Sequence, residues 1–182
     1  MKKAMIFLAE GFEEMEAVTP LDLLHRAGVD AKFVSLTGRK EVIGTHDAVY
    51  TADLLFDKAV MEKADMLILP GGMPGAKHLQ EHEGLKELLL SFHKKEKFIC
   101  AICAAPMVLG YHGILKGKKA TIYPGMEELL LGAEAVTTPV CRDGHIITSR
   151  APGTAIPFAL ELIEALCGKP MKEQITADIV YH

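Results

Sequence analysis

Cys103 is the residue of this sequence best placed for nucleophilic chemistry. An apolar run from Phe98 to Ile102 leads directly into it, and two alanines and then Pro106 follow. Because proline suits the first turn of a helix, the pattern predicts a strand that ends at Cys103 and a helix that begins just after it. A thiol at such a junction points off the carboxyl edge of a parallel sheet, as in a nucleophile elbow. We expect the helix N-terminus to lower the pKa of the thiol and to favour the thiolate.

Two other interpretations of this segment are open. A free cysteine is often a buried structural residue. In addition, Cys100 completes a Cys-x-x-Cys pattern. We expect neither thioredoxin-like chemistry nor structural zinc from it, because Cys100 falls inside the predicted strand and no second Cys or His pair follows at suitable spacing. The sequence therefore predicts no metal site, and Cys100, Cys141 and Cys167 are assigned to the core.

Glu16 is a carboxylic acid on the apolar face of the predicted first helix. On a helical wheel it falls between Leu23 and Ala27, on the side that gathers the leucines and alanines of the segment. A carboxylate there loses hydration, so its pKa should rise and it should stay protonated near neutral pH. A protonated Glu16 can then donate a hydrogen bond to a thiolate. The alternative is a glutamate at the rim of that face, reaching solvent.

Backbone donors complete the predicted site. Gly71 and Gly72 follow a buried strand and leave backbone N–H groups open to a ligand, and the Gly72 N–H together with the N–H of Ala104 predicts an oxyanion hole. A tight turn without a ligand is the alternative. Arg26 and Arg150 are candidates for an anion contact or a dimer contact, and for Arg150 a structural ion pair is the alternative.

The elements that position these residues follow an α/β pattern. Apolar strands alternate with amphipathic helices over residues 1–182, which predicts a single domain with a mostly parallel central sheet. Residues 40–53 alternate around Gly44 and predict an added β-hairpin. Further along we expect a strand at 120–123, a short helix at 126–131, a strand pair at 135–141 and 145–149, and a last long helix at 154–166.

Composition limits the classes of partner. A net charge of -4 argues against nucleic acid as a main partner. No apolar run reaches the roughly 18 residues that a membrane span needs, so no membrane association is expected. The N-terminal apolar stretch is short and lacks a small-residue cleavage site, and the four cysteines do not suggest a disulfide framework. We expect a cytoplasmic protein.

Four motifs in chain order carry a resemblance to a known family. Glu16, Pro-Gly-Gly at 70–72, Ala-Ile-Cys-Ala-Ala-Pro at 101–106 and Ser-Arg-Ala-Pro-Gly-Thr at 149–154 resemble the ThiJ/PfpI superfamily, more narrowly the branch of the Parkinsonism-associated deglycase. The resemblance implies a flavodoxin-like three-layer sandwich and a homodimer. It implies Cys103 as the reactive cysteine, Glu16 as the protonated glutamate, and Gly71 or Gly72 with Ala104 as backbone donors.

Two departures from the family pattern bear on function. Tyr123, followed by Pro124, stands where better-known animal members carry a histidine, and tyrosine is a poor general base at neutral pH. Ala104 stands where the protease-like branch has histidine, which argues against a peptidase.

Two functions are therefore expected from the resemblance. The first is a cofactor-free, cysteine-dependent glyoxalase or deglycase acting on methylglyoxal, glyoxal or their glycated adducts. The alternative is an oxidative-stress sensor or chaperone that works through sulfinate formation at Cys103.

Overall fold

The computed structural model describes all residues from 1 to 182 and contains a seven-stranded central sheet. Its strand order is β10-β11-β7-β6-β1-β2-β5, and every pairing in it is parallel except that of β10 with β11. Two further two-stranded sheets join β3 to β4 and β8 to β9. The strands are β1 Lys3–Leu8, β2 Asp30–Ser35, β3 Glu41–Ile43, β4 Val49–Thr51, β5 Leu54–Leu55, β6 Met66–Leu69, β7 Phe98–Ile102, β8 Lys119–Ala120, β9 Glu134–Ala135, β10 Val140–Asp143 and β11 Ile146–Ser149.

Helices cover both faces of the central sheet, which gives the three layers of a flavodoxin-like α/β fold. They are α1 Glu14–Arg26, α2 Lys58–Met61, α3 Gly75–Glu81, α4 Glu83–Lys94, α5 Pro106–Tyr111, α6 Ala155–Cys167 and α7 Lys169–Asp178, with 3-10 turns at Glu127–Leu129 and Pro152–Thr154. No helix combines the length and apolar character needed to cross a bilayer.

The core consists of two apolar layers of 27 buried residues each, one on either face of the sheet. The alternation of side chains along each strand divides β1 between them: Ile6 and Leu8 face α1 and α6, while Met5 and Phe7 face the helices α2 to α5. Because β6, β7 and the part of β1 after exposed Lys3 are buried on both faces, their sequences are continuously apolar, as in parallel sheets generally.

The first half of the chain matches its predicted elements closely. The hairpin expected within 40–53 is confirmed as β3 and β4, which pair antiparallel with Val42 opposite Tyr50. Strand β7 has the predicted bounds, and β6 is the buried strand predicted before Gly71. One helix was not predicted: α3 begins at Gly75 inside a segment whose prolines and glycines indicate a turn.

The second half requires corrections. The strand expected at 120–123 is shorter, because Tyr123 donates its N–H to Cys103 instead of extending β8. The helix expected at 126–131 is only a 3-10 turn. The strand expected at 135–141 is divided, since β9 pairs with β8 and β10 pairs with β11. Helix α7 was not predicted because its sequence is polar and only Ile175 of it is buried.

Candidate active site

Cys103 lies at a sharp turn between β7 and α5. Its N–H donates to Ser149 O at 3.0 Å, which continues the pairing of β7 with β11, and its φ of 63° then turns the chain into Ala104 and Ala105. A residue with a Cβ at such a φ costs about 1 kcal/mol or more, and such strain is often found at functional sites. The predicted nucleophile elbow is confirmed in its geometry.

The expected low pKa of Cys103 is wrong. The pKa of this thiol is raised to about 12, first because it is buried and then because the charge of the Glu16 carboxylate repels a thiolate and favours the neutral thiol. Backbone N–H groups of Ala104 and Gly72 act in the opposite direction. Helix α5 has only six residues, so its dipole is too small to reverse the balance. The residue keeps 9% of its surface exposed, which leaves a route to solvent.

Glu16 is buried as the helical wheel predicts. It is 0% exposed, and the pKa of its carboxyl is raised to about 7, mainly by burial and in a smaller part by the charge of Glu13. The hydrogen bond from the Gly71 N–H and the nearby Cys103 thiol limit the rise because they stabilise the carboxylate. Oε2 accepts the Gly71 bond at 2.8 Å, whereas buried Oε1 has no hydrogen-bond partner. The alternative of a solvent-reaching glutamate is excluded.

Gly71 lies against both the Glu16 carboxyl and Cys103, and its N–H does not have the role of oxyanion donor that was predicted for it. Its N–H is used by Glu16, so it is not free to stabilise an oxyanion as expected. The reason is that a buried carboxyl needs a hydrogen-bond donor, and the Gly71 N–H supplies it. A methyl group on Gly71 Cα would lie 2.7 Å from Cys103 Cβ and 2.9 Å from the Ala104 nitrogen. Only glycine fits between these groups.

Gly72 and Ala104 are the two backbone donors that face the sulfur. Both N–H groups lower the pKa of Cys103, and neither donates to a backbone carbonyl. Gly72 has a φ of 85°, and a Cβ there would lie 2.5 Å from the Glu13 nitrogen, so the turn requires glycine. Two convergent N–H groups beside a nucleophile are an arrangement that can hold a developing oxyanion.

Tyr123 and Pro124 lie at the rim of the site. The Tyr123 N–H donates to Cys103 O at 2.9 Å, which ties this segment to the elbow. The Tyr123 side chain is 45% exposed, and Pro124 is also exposed. The backbone of Tyr123 therefore supports the site, while its phenol faces solvent.

The two arginines have different surroundings. Arg150 follows Ser149, its Nη1 donates to Thr137 O at 3.3 Å, and its Nη2 lies 3.9 Å from Glu127. This ion pair with Glu127 corresponds to the alternative given for Arg150 in the sequence analysis, a structural ion pair instead of an anion or dimer contact. Arg26 pairs with Asp22 at 2.7 Å on the exposed face of α1. It lies ten residues beyond Glu16, about 15 Å along the helix, so it takes no part in the cysteine site.

One cluster beside the site was not found from the sequence. Glu13, Glu14 and His46 each bring a potential metal-ligating atom within 4.8 Å of the others. Burial would raise the pKa of Glu14, but hydrogen bonds outweigh it and lower this pKa to about 2: Glu14 contacts His46 Nδ1 at 2.7 Å and accepts from the His46 N–H at 2.8 Å and from Thr45 Oγ1 at 2.9 Å. The hairpin brings residue 46 next to residue 14, and no local sequence pattern signals that contact. The absence of a metal site stays a prediction.

The fold and the elbow together define an α/β protein with a cysteine at a strand-to-helix junction and a buried acid beside it. A family model of the DJ-1/PfpI family matches residues 2–165. The chain belongs to the DJ-1/PfpI family and, within it, to the DJ-1 branch.

Relatives and solved structures agree with this assignment over nearly the full length. The chain is 35% identical to the Parkinson disease protein 7 homolog of Danio rerio, over 98% of this chain and 97% of that protein. The structure of oxidized Toxoplasma gondii DJ-1 is similar with a TM-score of 0.94 and 35% identity, covering 100% of this chain and 99% of that one. Drosophila melanogaster DJ-1beta gives a TM-score of 0.91 and 36% identity, covering 100% and 98%.

Proposed function

We propose that this DJ-1-like protein is a cofactor-free enzyme that converts reactive dicarbonyls, methylglyoxal and glyoxal, and their glycated adducts, through Cys103 and Glu16. The observation that carries the proposal is the fully buried Glu16 carboxyl, which lies beside the Cys103 side chain at Gly71. A buried acid that titrates near neutral pH beside a nucleophile can take and return protons.

The raised pKa of Cys103 defines the first step. At neutral pH the thiol holds its proton, while Glu16, with a pKa of about 7, is ionised in a large fraction of molecules. When the sulfur attacks the aldehyde carbon of methylglyoxal, the thiol proton passes to the Glu16 carboxylate. The carbonyl oxygen becomes an oxyanion, which the N–H groups of Gly72 and Ala104 stabilise until Glu16 protonates it.

The resulting hemithioacetal then isomerises. Glu16 removes the hydrogen on the former aldehyde carbon as a proton and returns it to the neighbouring carbon through an enediol. The first carbon is thereby oxidised to a thioester and the second is reduced to an alcohol, so no external oxidant is needed. Water hydrolyses the thioester, which releases lactate and restores the thiol. With a glycated amine, the sulfur replaces the amine on the same carbon: the C–S bond forms, the C–N bond breaks, and the amine leaves with the proton that Glu16 took from the thiol, which gives the same hemithioacetal.

Lactate release from methylglyoxal tests this function. We expect turnover by the wild type, and its loss in Cys103→Ser and in Glu16→Gln. Loss of general acid–base assistance lowers rates by about 10²–10⁴-fold. Glu13→Gln is the matched control, because Glu13 acts on the site only through its charge. Turnover that persists in Cys103→Ser would exclude the proposal.

A redox sensor is the second candidate function. The relative from Toxoplasma gondii is described as oxidized, and in this chain the same Glu16 and backbone donors could bind the oxygens of a sulfinate. Hydrogen peroxide would convert the Cys103 thiol to a sulfinic acid, with two peroxide molecules reduced to water. Mass spectrometry after graded peroxide should find two added oxygens at Cys103 and none at fully buried Cys100. Sulfinate formation without lactate release would leave only this function.

We also propose that the protein forms a homodimer. A groove of about 700 Å³ between α1, α6 and the C-terminal residues exposes Val18, Ile156 and Tyr181 and is lined by Arg26 as well. Sedimentation equilibrium should give a dimer for the wild type and for Leu90→Asp, and a monomer for Val18→Asp. A wild type that is monomeric at all concentrations contradicts this proposal.

We also propose that the protein is located in the cytoplasm. The four cysteines are all free, as expected of proteins kept in a reducing compartment. A fluorescent fusion or cell fractionation would test it, and recovery only from an oxidising compartment would contradict it.

A further inference from the structure

An apolar pocket that the proposed chemistry does not use lies between α3, α5 and the 3-10 turn at Glu127–Leu129. Its volume is about 330 Å³, within the range of small-molecule sites. Of its eight lining residues, six are hydrophobic and two, Lys77 and Gln80, are polar. The apolar lining comes from Met73, Met107, Tyr111, Met126, Leu129 and Leu131.

Three residues that line the pocket belong to the three chain segments around Cys103. Met73 directly follows Gly72, one of the two donors that face the sulfur. Met107 lies one helical turn beyond Cys103 and donates its N–H to Ala104 O at 3.1 Å. Met126 donates its N–H to Tyr123 O, and the Tyr123 N–H in turn bonds to Cys103 O. Each of the three methionines therefore belongs to a segment that also contributes a residue to the reactive site.

The side chains of this lining suit a flat aromatic group. Methionine is flexible and its polarisable sulfur makes favourable contacts with aromatic rings, and an aromatic partner is also present in Tyr111. Several residues of the pocket lining are exposed to solvent, among them Met73 at 52% and Leu131 at 53%. A methyl group, as in methylglyoxal, would fill little of this volume.

We infer that this pocket is a substrate subsite beside Cys103, and that it binds the aryl or bulky apolar substituent of an α-oxoaldehyde. The inference rests on the proposed function and specifies its substrate class. The carbonyl end of such a compound reaches the sulfur and the donors of Gly72 and Ala104, while the aromatic substituent packs against the methionines.

The kinetic test compares phenylglyoxal with methylglyoxal. The measured quantity is the ratio of kcat/KM for the two substrates, because the ratio cancels general damage to the chemistry. Placing a neutral polar group in the pocket, as Leu129→Asn or Leu131→Asn, should lower this ratio by about tenfold. Leu90→Asn is the matched control on α4, where Leu90 is 41% exposed against 38% for Leu129. An unchanged ratio in both pocket variants overturns the inference.

A second measurement separates this inference from the proposed function. Iodoacetamide and its phenyl derivative iodoacetanilide both alkylate Cys103 without turnover, and site-specific labelling is read by mass spectrometry. The measured quantity is the rate of alkylation by iodoacetanilide divided by the rate of alkylation by iodoacetamide. At Cys103 this ratio should be about tenfold higher than for the thiol of free glutathione. In Leu129→Asn it should fall towards the glutathione value. A high ratio without lactate release means that the subsite exists and the proposed reaction is wrong. A ratio equal to that of glutathione means that no aryl subsite adjoins Cys103.

Discussion

Glu16 and Cys103 both lie against the same backbone position, Gly71. A methyl group on Gly71 Cα would lie 2.8 Å from Glu16 Oε2 and 2.7 Å from Cys103 Cβ. Glu16 is fully buried and has a pKa raised to about 7, while Cys103 has a pKa raised to about 12. Because each group acts on the pKa of the other, the two titrate as a coupled pair.

Removing the charge of Glu16 should make the thiol more acidic. In Glu16→Gln we expect the pKa of Cys103 to fall from about 12 by at least about one unit, because a nearby like charge is lost. Burial, the largest cause of the shift, remains. The thiolate absorbance should be followed after rapid pH jumps, with Cys103→Ser as the blank. Glu13→Gln should leave the midpoint nearly unchanged, and an unchanged midpoint in Glu16→Gln would refute the coupling.

The raised pKa of Glu16 also makes stability depend on pH. Between the ordinary carboxyl pKa of 4.5 and about 7, the folded protein retains a proton that the unfolded chain has lost. The contribution of this group to the free energy of unfolding therefore decreases as pH rises through that window and is constant above it. A shift of this size corresponds to about 3 kcal/mol.

The measurement for this prediction is urea unfolding at a series of pH values. The stability of Glu16→Gln relative to wild type should increase between pH 4.5 and 7, because the variant lacks the titrating group. A stability difference that stays constant across the window is incompatible with a buried acid at this position.

Enlarging Gly71 should disrupt the pair. In Gly71→Ala the new methyl would lie under 3.0 Å from Cys103 Cβ, Glu16 Oε2 and the Ala104 nitrogen. We expect a destabilisation of about 1–3 kcal/mol, typical of overpacking, together with loss of any cysteine-dependent turnover. Gly153→Ala is the control, since nothing lies within 4 Å of a Cβ there. Equal unfolding midpoints for the two variants would show that the close packing is unimportant.

Two buried threonines give a matched pair of stability predictions. Thr148 Oγ1 accepts the Thr121 N–H at 2.9 Å, whereas Thr121 Oγ1 is buried without a partner, and both residues are 0% exposed. Thr148→Val leaves a buried N–H unpaired and should cost about 1–3 kcal/mol. Thr121→Val removes an unpaired hydroxyl and should be neutral or stabilising. Thermal unfolding measures both, and the reverse order of Tm would contradict this hydrogen-bond assignment.

The sequence by itself determined the α/β class, the elbow and the buried acid. These predictions rest on local rules: apolar runs form the buried strands β6 and β7, Pro106 begins α5, and the 3.6-residue period places Glu16 on the apolar face of α1. Such rules depend on neighbours in the chain, so they can be applied before the fold is known.

Only the tertiary structure decided the protonation of the site and the roles of its donors. The pKa of Cys103 is raised instead of lowered because burial and the Glu16 carboxylate, 87 positions away in the chain, outweigh two backbone N–H groups. Gly71 serves Glu16 and not an oxyanion for the same reason. Desolvation and charge coupling depend on distances between segments that are remote in sequence, and those distances exist only in the folded chain.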